Sequence, residues 1–508
     1  MRFRWLKKIS AAGIVFLATT GAMGRTIQGQ VTDLLRSNDL GQSRIAVHIL
    51  DLDDGSELAS INADTLMMPA SNMKLITTAA ALEILGKDFK FRTRLRLIEP
   101  DDWSDSDAPE GPNGGTALVL KGDGDPALGD PVLLERHQLS TDDLIREWVD
   151  VILGTKVKQI RELIVEDRIF DRQFVHLSWP TDQLHRHYCA QVAGINFHRN
   201  ILLVYPEPTT IGSTPRIVLD PYAPFIQTRN LALTDTRENF QIGRQPNSNL
   251  MTFRGTVAAN RPATAWQITV HDPAILLANL LKHRLAKVGV AIEQVRRVAD
   301  GELLPPGQLL YETQTTLYEV VKRANSDSQN LFAEALIKRM GHTYTGAPGS
   351  WDNGAAAVRQ FLQRRLGTTA AVVTIADGSG LSRDNRITTR IMVRILKNLY
   401  KDEQLGSDYI LSLAIGGERG TLKKRFKNHL KGKVYAKSGY IKGVSALSGY
   451  LLIPPNRQNH INEHRVVAFS LLFNEVQQPV AISQVKHVQD QIVALINESY
   501  HPLAAARR

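Results

Sequence analysis

Met68-Pro69-Ala70-Ser71-Asn72-Met73-Lys74 opens a run that continues through Leu75, Ala79, Leu82 and Leu85 and stops at Gly86. The four apolar residues recur at helical spacing, which predicts a helix from about Ser71 to Leu85, ended by the glycine. Ser71 and Lys74 stand at i and i+3, one turn apart on one face. A serine at a helix start has its hydroxyl near backbone N–H groups that favour developing negative charge. A lysine beside it acts as a base only when burial or a second cation lowers its pKa. Alone the pair says little: Ser-x-x-Lys arises by chance about once or twice in a chain of this length. A helix N-cap serine with a solvated lysine explains it equally well.

On the N-terminal side, residues 45–62 read as a hairpin: Ile45 to Leu50, the polar turn Asp53-Asp54-Gly55, then Leu58 to Asn62. On the C-terminal side, residues 93–307 change character. They open with a turn-rich acidic stretch, Pro100 to Gly115, and continue with strand-like runs such as Ala117–Leu120, Glu162–Val165 and Ile201–Tyr205. Pro and Gly punctuate them throughout, and one amphipathic helix, His271–Val288, stands out. The last third is helical and then extended. Leu317–Ala324, Asn330–Arg339 and Ile387–Tyr400 read as helices; Gly432–Lys437, Val444–Ile453 and Val466–Asn474 read as strands; Val480–Ile496 reads as a closing amphipathic helix.

The chain has 508 residues, 43% of them hydrophobic, which suits two or three domains with sizeable cores. Arg2, Arg4, Lys7 and Lys8 precede a short apolar stretch, Ile9–Thr20, and the small-residue site Ala22-Met23-Gly24. Residues 1–24 therefore read as a signal peptide and imply export to the periplasm or another extracytoplasmic space; an uncleaved anchor is the competing reading. No cysteine lies directly after the apolar stretch, so a lipoprotein anchor is not expected. Cys189 is the only cysteine, so no intramolecular disulfide is available, and a packed thiol is expected. Net charge is +10, or +6 without the four basic residues of the leader. A basic exported surface suits an anionic wall polymer or a lipid surface. Nucleic acid is not expected as a partner: the densest basic run, Lys423–Lys433, has only Phe426 among its cations.

Two further constellations carry chemistry. In Asn325-Ser326-Asp327-Ser328-Gln329-Asn330, a hydroxyl and an amide two residues apart suit a loop presenting a proton shuttle and a substrate-holding group, although a polar helix cap gives the same pattern. Lys437-Ser438-Gly439 closes a strand-like run and would offer a cation, a hydroxyl and a flexible residue to a carboxylate; the plain alternative is a strand ending in a turn.

Taken together and in this order, the three motifs resemble those of the penicillin-recognising serine enzymes, Ser-x-x-Lys, Ser-x-Asn and Lys-Thr/Ser-Gly. Asn330-Leu331-Phe332-Ala333-Glu334, Asp377-Gly378-Ser379-Gly380-Leu381-Ser382-Arg383, Gly420-Thr421-Leu422-Lys423-Lys424-Arg425, Val444–Tyr450 and Gly122–Pro126 are similar to stretches of the class C low-molecular-mass penicillin-binding proteins. Ser71 and Ser328 lie 257 positions apart, room that this family fills with inserted domains.

The resemblance implies an α+β fold: a transpeptidase/β-lactamase-like domain, an antiparallel sheet flanked by helices, from residues 25–92 and 308–508. Residues 93–307 would form a mainly β inserted region of one or two nested subdomains, and the hairpin would share a sheet with the C-terminal strands. It implies a serine D-Ala-D-Ala carboxypeptidase that also acts as a D,D-endopeptidase on peptidoglycan stems and cross-links, and that β-lactams inhibit. No cofactor or metal is expected.

The implied roles are Ser71 as nucleophile and Lys74 as base, its pKa lowered by Lys437. Ser328 would be the proton relay, and Asn330 would orient lysine and substrate amide. The backbone N–H groups of Ser71 and Tyr440 would form the oxyanion hole, with Lys437, Ser438 and Gly439 at the terminal carboxylate. Arg383 and Asp167 would grip the free end of a diamino-acid side chain, Arg383 its carboxylate and Asp167 its ammonium; ordinary surface charge is the alternative for Asp167. Two positions depart from the family: Ser438 replaces the usual threonine, and Tyr440 replaces a threonine or serine, losing a short hydroxyl at the carboxylate. A β-lactamase-like hydrolase and a catalytically decayed wall-binding protein are the competing functions.

Overall fold

The computed structural model describes residues 26–104, 115–455 and 464–500. The leader expected at 1–24 lies outside them, as does most of the acidic stretch after Ser104. The chain divides into two compact units. One comprises residues up to Asn72, Arg365–Val373 and the chain from Arg386 on; the other comprises Met73–Arg364 and Thr374–Asn385.

The first unit is built on a six-stranded antiparallel sheet. Its order is Ala414–Ile415, Val434–Ile441, Val444–Ile453, Arg465–Asn474, Arg44–Asp51, Glu57–Ile61. The N-terminal hairpin thus shares a sheet with the C-terminal strands, as expected. The two central strands are buried at almost every position. A strand covered on both faces has no solvent side to alternate with, so it reads as a continuous apolar run. The terminal helices Ile27–Ser37 and Ile482–Tyr500 pack through Val31, Val485, Val488, Ile492 and Ile496 into the core that holds Val47, Leu447 and Phe469. Helix Thr389–Lys401, capped by Thr388, also packs on the sheet, where the buried Tyr450 hydroxyl donates to Leu396 O at 2.8 Å.

The second unit contains a five-stranded sheet in the order Ala291–Arg297, Gln159–Glu166, Ala117–Lys121, Lys90–Ile98, Gln308–Thr316. Helices Thr141–Gly154 and Pro273–Lys287 pack on it through Trp148, Ile152, Leu277 and Leu281. The latter is the helix expected at 271–288. The former is a second helix in that stretch, started by a Ser140–Asp143 capping box. Three small sheets follow between Ile201 and Thr269. Further helices are Met73–Ile84, Leu317–Ser326, Asn330–Thr345 and Trp351–Leu366, of which the first three pack against one another. Among the described residues no helix is long and apolar enough to cross a membrane.

Candidate active site

In the first unit, a 3-10 turn, Ala70–Asn72, carries Ser71 directly into the helix that starts at Met73. Ala70, just before the serine, has φ 46°, a conformation that costs a non-glycine residue and is found where surroundings enforce it. Asn72 does much of the enforcing. It is fully buried, and its amide donates to Lys437 O at 2.9 Å while its oxygen accepts from Ser448 N at 3.0 Å and Ser448 Oγ at 2.6 Å. Ser448 Oγ in turn meets Ser470 Oγ at 2.8 Å. The turn is therefore fastened to the strand that carries Lys437-Ser438-Gly439 and to its neighbour. Gly439 permits the approach: a β-carbon there would lie 3.0 Å from Ser71 N and 3.1 Å from Pro69 O. Lys437 is buried, with Nζ donating to Ser438 O at 2.8 Å, and Ser438 Oγ donates to Thr421 Oγ1 at 2.8 Å. The Tyr440 side chain is 55% exposed, with Lys486 Nζ 5.5 Å from its ring centre.

In the second unit, Lys74 is fully buried; Nζ donates to Asn330 Oδ1 at 2.7 Å and to Ser379 O at 2.9 Å. Burial pushes its pKa down from 10.5 to about 7, against the carboxylates of Glu334 and Asp377, which pull it up. The largest cause is thus desolvation. Asn330 starts the helix Asn330–Thr345, and its Nδ2 donates to Tyr188 O at 2.8 Å. Ser328 precedes that helix at φ 59°, again a strained position for a side-chain-bearing residue. The loop Asp377–Gly380 lies against the same helix so closely that a β-carbon on Gly378 would fall 2.5 Å from Ala333 O.

The structure thus brings Ser71, Lys437, Ser438, Gly439 and Tyr440 together in one unit, and Lys74, Ser328 and Asn330 together in the other. Arg383 is exposed at the end of the loop, after Ser382, whose hydroxyl meets Ser178 Oγ at 2.6 Å. Asp167 belongs to a separate cluster. It is buried and paired with Arg297 at 2.9 Å, and Arg297 also holds Asp272. Its other oxygen, Oδ1, is buried without a hydrogen-bond partner. It is therefore no surface charge, and burial raises its pKa. Cys189 is a packed thiol, pushed up to about 12 by burial.

Sequence reasoning missed Asn72, Glu334, Asp377 and Tyr188. Asn72, Glu334 and Asp377 stood inside the motifs themselves, and for Glu334 a polar residue among the apolar ones of its helix was the available signal. Tyr188 acts through its backbone carbonyl, which no side-chain pattern reports.

A serine at the head of a buried helix, a lysine three residues on that burial holds near neutrality, and a Lys-Ser-Gly strand fastened to the serine's turn define a serine acyl-transferring hydrolase of the penicillin-recognising class. The chain belongs to the D-Ala-D-Ala carboxypeptidase 3 (S13) family of serine-type peptidases, whose profile matches residues 27–498. It is 30% identical over 509 residues to a D-alanyl-D-alanine carboxypeptidase of Actinomadura, covering 94% of this chain and 86% of that one. It is 24% identical over 466 residues to D-alanyl-D-alanine carboxypeptidase DacB of Haemophilus influenzae, covering 88% and 91%. The crystal structure of penicillin binding protein 4 (dacB) from H. influenzae shares the fold: TM-score 0.72 at 23% identity, over 92% of this chain and 99% of that one.

Proposed function

We propose that this enzyme removes the terminal D-alanine of peptidoglycan stem peptides and also cleaves D,D-cross-links, through an acyl-enzyme on Ser71. The observation that carries the reading is the state of Lys74, buried, held by Asn330 Oδ1 and Ser379 O, and shifted to a pKa at which it exchanges a proton near neutral pH. Lys74 takes the Ser71 proton as Oγ attacks the carbonyl between two D-residues. Ser328 returns a proton to the leaving amine. Asn330 orients the lysine. The backbone N–H groups of Ser71 and Tyr440 receive the oxyanion, and Lys437 and Ser438 receive the terminal carboxylate. A β-lactam presents the same carbonyl and carboxylate and acylates the same serine.

Arg383 and Asp167 read the free end of the diamino-acid side chain. The unpartnered Asp167 Oδ1 supports its half of that assignment, since a buried carboxylate oxygen lacking a donor favours an incoming ammonium. Residues 93–307 act as an insertion in a transpeptidase-like domain made of 25–92 and 308–508. The antiparallel pairing of Lys90–Ile98 with Gln308–Thr316 supports this, because an insertion must leave and return at adjacent points. Residues 1–24 direct export to a compartment outside the cytoplasm.

The test is mass analysis of the protein after benzylpenicillin. Wild type should gain one stable adduct and Ser71→Ala none; an adduct on Ser71→Ala would show that the nucleophile is another residue. Rapid turnover without an accumulating adduct would favour a β-lactamase.

A further inference from the structure

The mechanism above leaves Glu334 without a task, although it is fully buried one turn along the helix from Asn330. Three N–H donors converge on its carboxylate. Trp351 Nε1 and Gly378 N donate to Oε2 at 2.7 and 3.0 Å, and Ser379 N donates to Oε1 at 2.8 Å. A glutamine could not replace it in kind, because its NH₂ would face an N–H donor. Ser379, which Glu334 holds by its N–H, also carries, in the next peptide group, the carbonyl that receives Lys74 Nζ at 2.9 Å. The carbonyl of the peptide group whose N–H Glu334 holds, Gly378 O, accepts from Thr77 Oγ1 at 2.7 Å, so the lysine's own helix grips the same loop.

Two buried lysines feel this carboxylate, Lys74 and Lys338. Lys338 lies 3.9 Å from the Trp351 ring centre, but its Nζ donates to Asp171 at 2.6 Å and to Gln173 O at 2.7 Å. Asp377, the second acid near Lys74, is itself encircled by donors: Trp179 Nε1 at 2.9 Å, Gly380 N at 2.8 Å, Ser382 N at 2.6 Å and Asn385 Nδ2 at 2.8 Å. Trp179 and Trp351 meet edge to face at 5.7 Å, so two linked indoles each serve one of the two buried carboxylates. Within this unit Lys74 therefore faces Glu334 from the helix and Asp377 from the loop.

We propose that Glu334 is a positioning residue for Lys74: through the backbone of Ser379 it sets where the lysine's Nζ rests, and as an anion it sets how firmly the lysine keeps its proton. The inference rests on the reading of Lys74 as the base. Glu334 raises the lysine's proton affinity against the effect of burial, so its removal lets the lysine lose the proton at lower pH.

The experiment is the pH dependence of the benzylpenicillin acylation rate, by stopped flow on the full chain, for wild type, Glu334→Gln, Glu334→Asp and Lys74→Met. Glu334→Gln should move the rising limb about one pH unit downward and lower the plateau about tenfold. Glu334→Asp keeps the charge and should leave the limb near its wild-type position with a reduced plateau. Should Glu334→Gln not fold, Trp351→Phe decides. It removes one donor from the carboxylate, favours its protonated form and should move the limb downward by a smaller amount. A folded Glu334→Gln with a lowered plateau and an unmoved limb, or an unmoved limb in Trp351→Phe, overturns the proposal. If Lys74→Met acylates like wild type, the base assignment itself fails and takes the inference with it; an inactive Lys74→Met beside an unmoved limb refutes the inference alone.

Discussion

Asn72 occupies one of the two variable positions of the Ser-x-x-Lys motif and touches no reacting atom, yet Asn72→Ala should be among the most damaging substitutions near the site. The change removes three hydrogen bonds, to Lys437 O, Ser448 N and Ser448 Oγ. Lys437 and Ser448 are both fully buried, so water does not take over what the amide leaves. At about 1 kcal/mol net per buried hydrogen bond the loss is about 3 kcal/mol. For a unit of this size that lowers the thermal midpoint by about 6–12 °C. The neighbouring residue is Ser71, held at a left-handed Ala70 by the same fastening, so a displaced serine should also acylate at least about tenfold more slowly at 25 °C. Labelling by a fluorescent penicillin, followed in time at 25 °C and after equilibration at rising temperatures, reads both quantities on the part of the molecule concerned. Ser448→Ala breaks part of the same network, so the double variant should cost about 1 kcal/mol less than the sum of the single ones. An Asn72→Ala protein with a wild-type labelling rate and a midpoint within about 2 °C of wild type would refute the account of Asn72 as the fastening.

Two further expectations concern charge. Acylation by benzylpenicillin should rise as pH passes about 7, because the lysine must be neutral to accept the serine's proton. Stability follows with a definite sign. The folded value lies below the ordinary 10.5, so the penalty for the charged lysine is fully present below about 7 and vanishes as pH climbs through 10.5. Lys74→Met should therefore raise the urea midpoint more at pH 6 than at pH 10; equal gains at both would contradict the shift. The raised value of Glu334 acts in the opposite direction, its penalty present above about 7 and gone below 4.5. Finally, Arg383→Ala should reduce cleavage of a peptide with a free diaminopimelate-like end far more than acylation by benzylpenicillin, measured as kcat/KM for each. Equal reductions would assign Arg383 to support of the site instead of substrate reading.

What the sequence determined by itself was the set of elements and the reactive groups. Helical spacing marked the Ser71–Lys74 run, the strand-like runs at 444–453 and 466–474 appeared within a residue or two of their ends, and three short motifs singled out the candidates for nucleophile, base and carboxylate-binding strand. Such signals are legible because periodicity and motif spacing are properties of neighbouring residues. Only the tertiary structure decided how those groups behave. Lys74 owes its lowered pKa to burial, and its resting place to acceptors 256 and 305 positions away. Asn72 owes its importance to Ser448, 376 positions away. Asp167 is no surface charge because Arg297, 130 positions on, pairs it inside the unit. Desolvation and long-range hydrogen bonding depend on what the rest of the chain packs around a group, and no local pattern of residues contains that information.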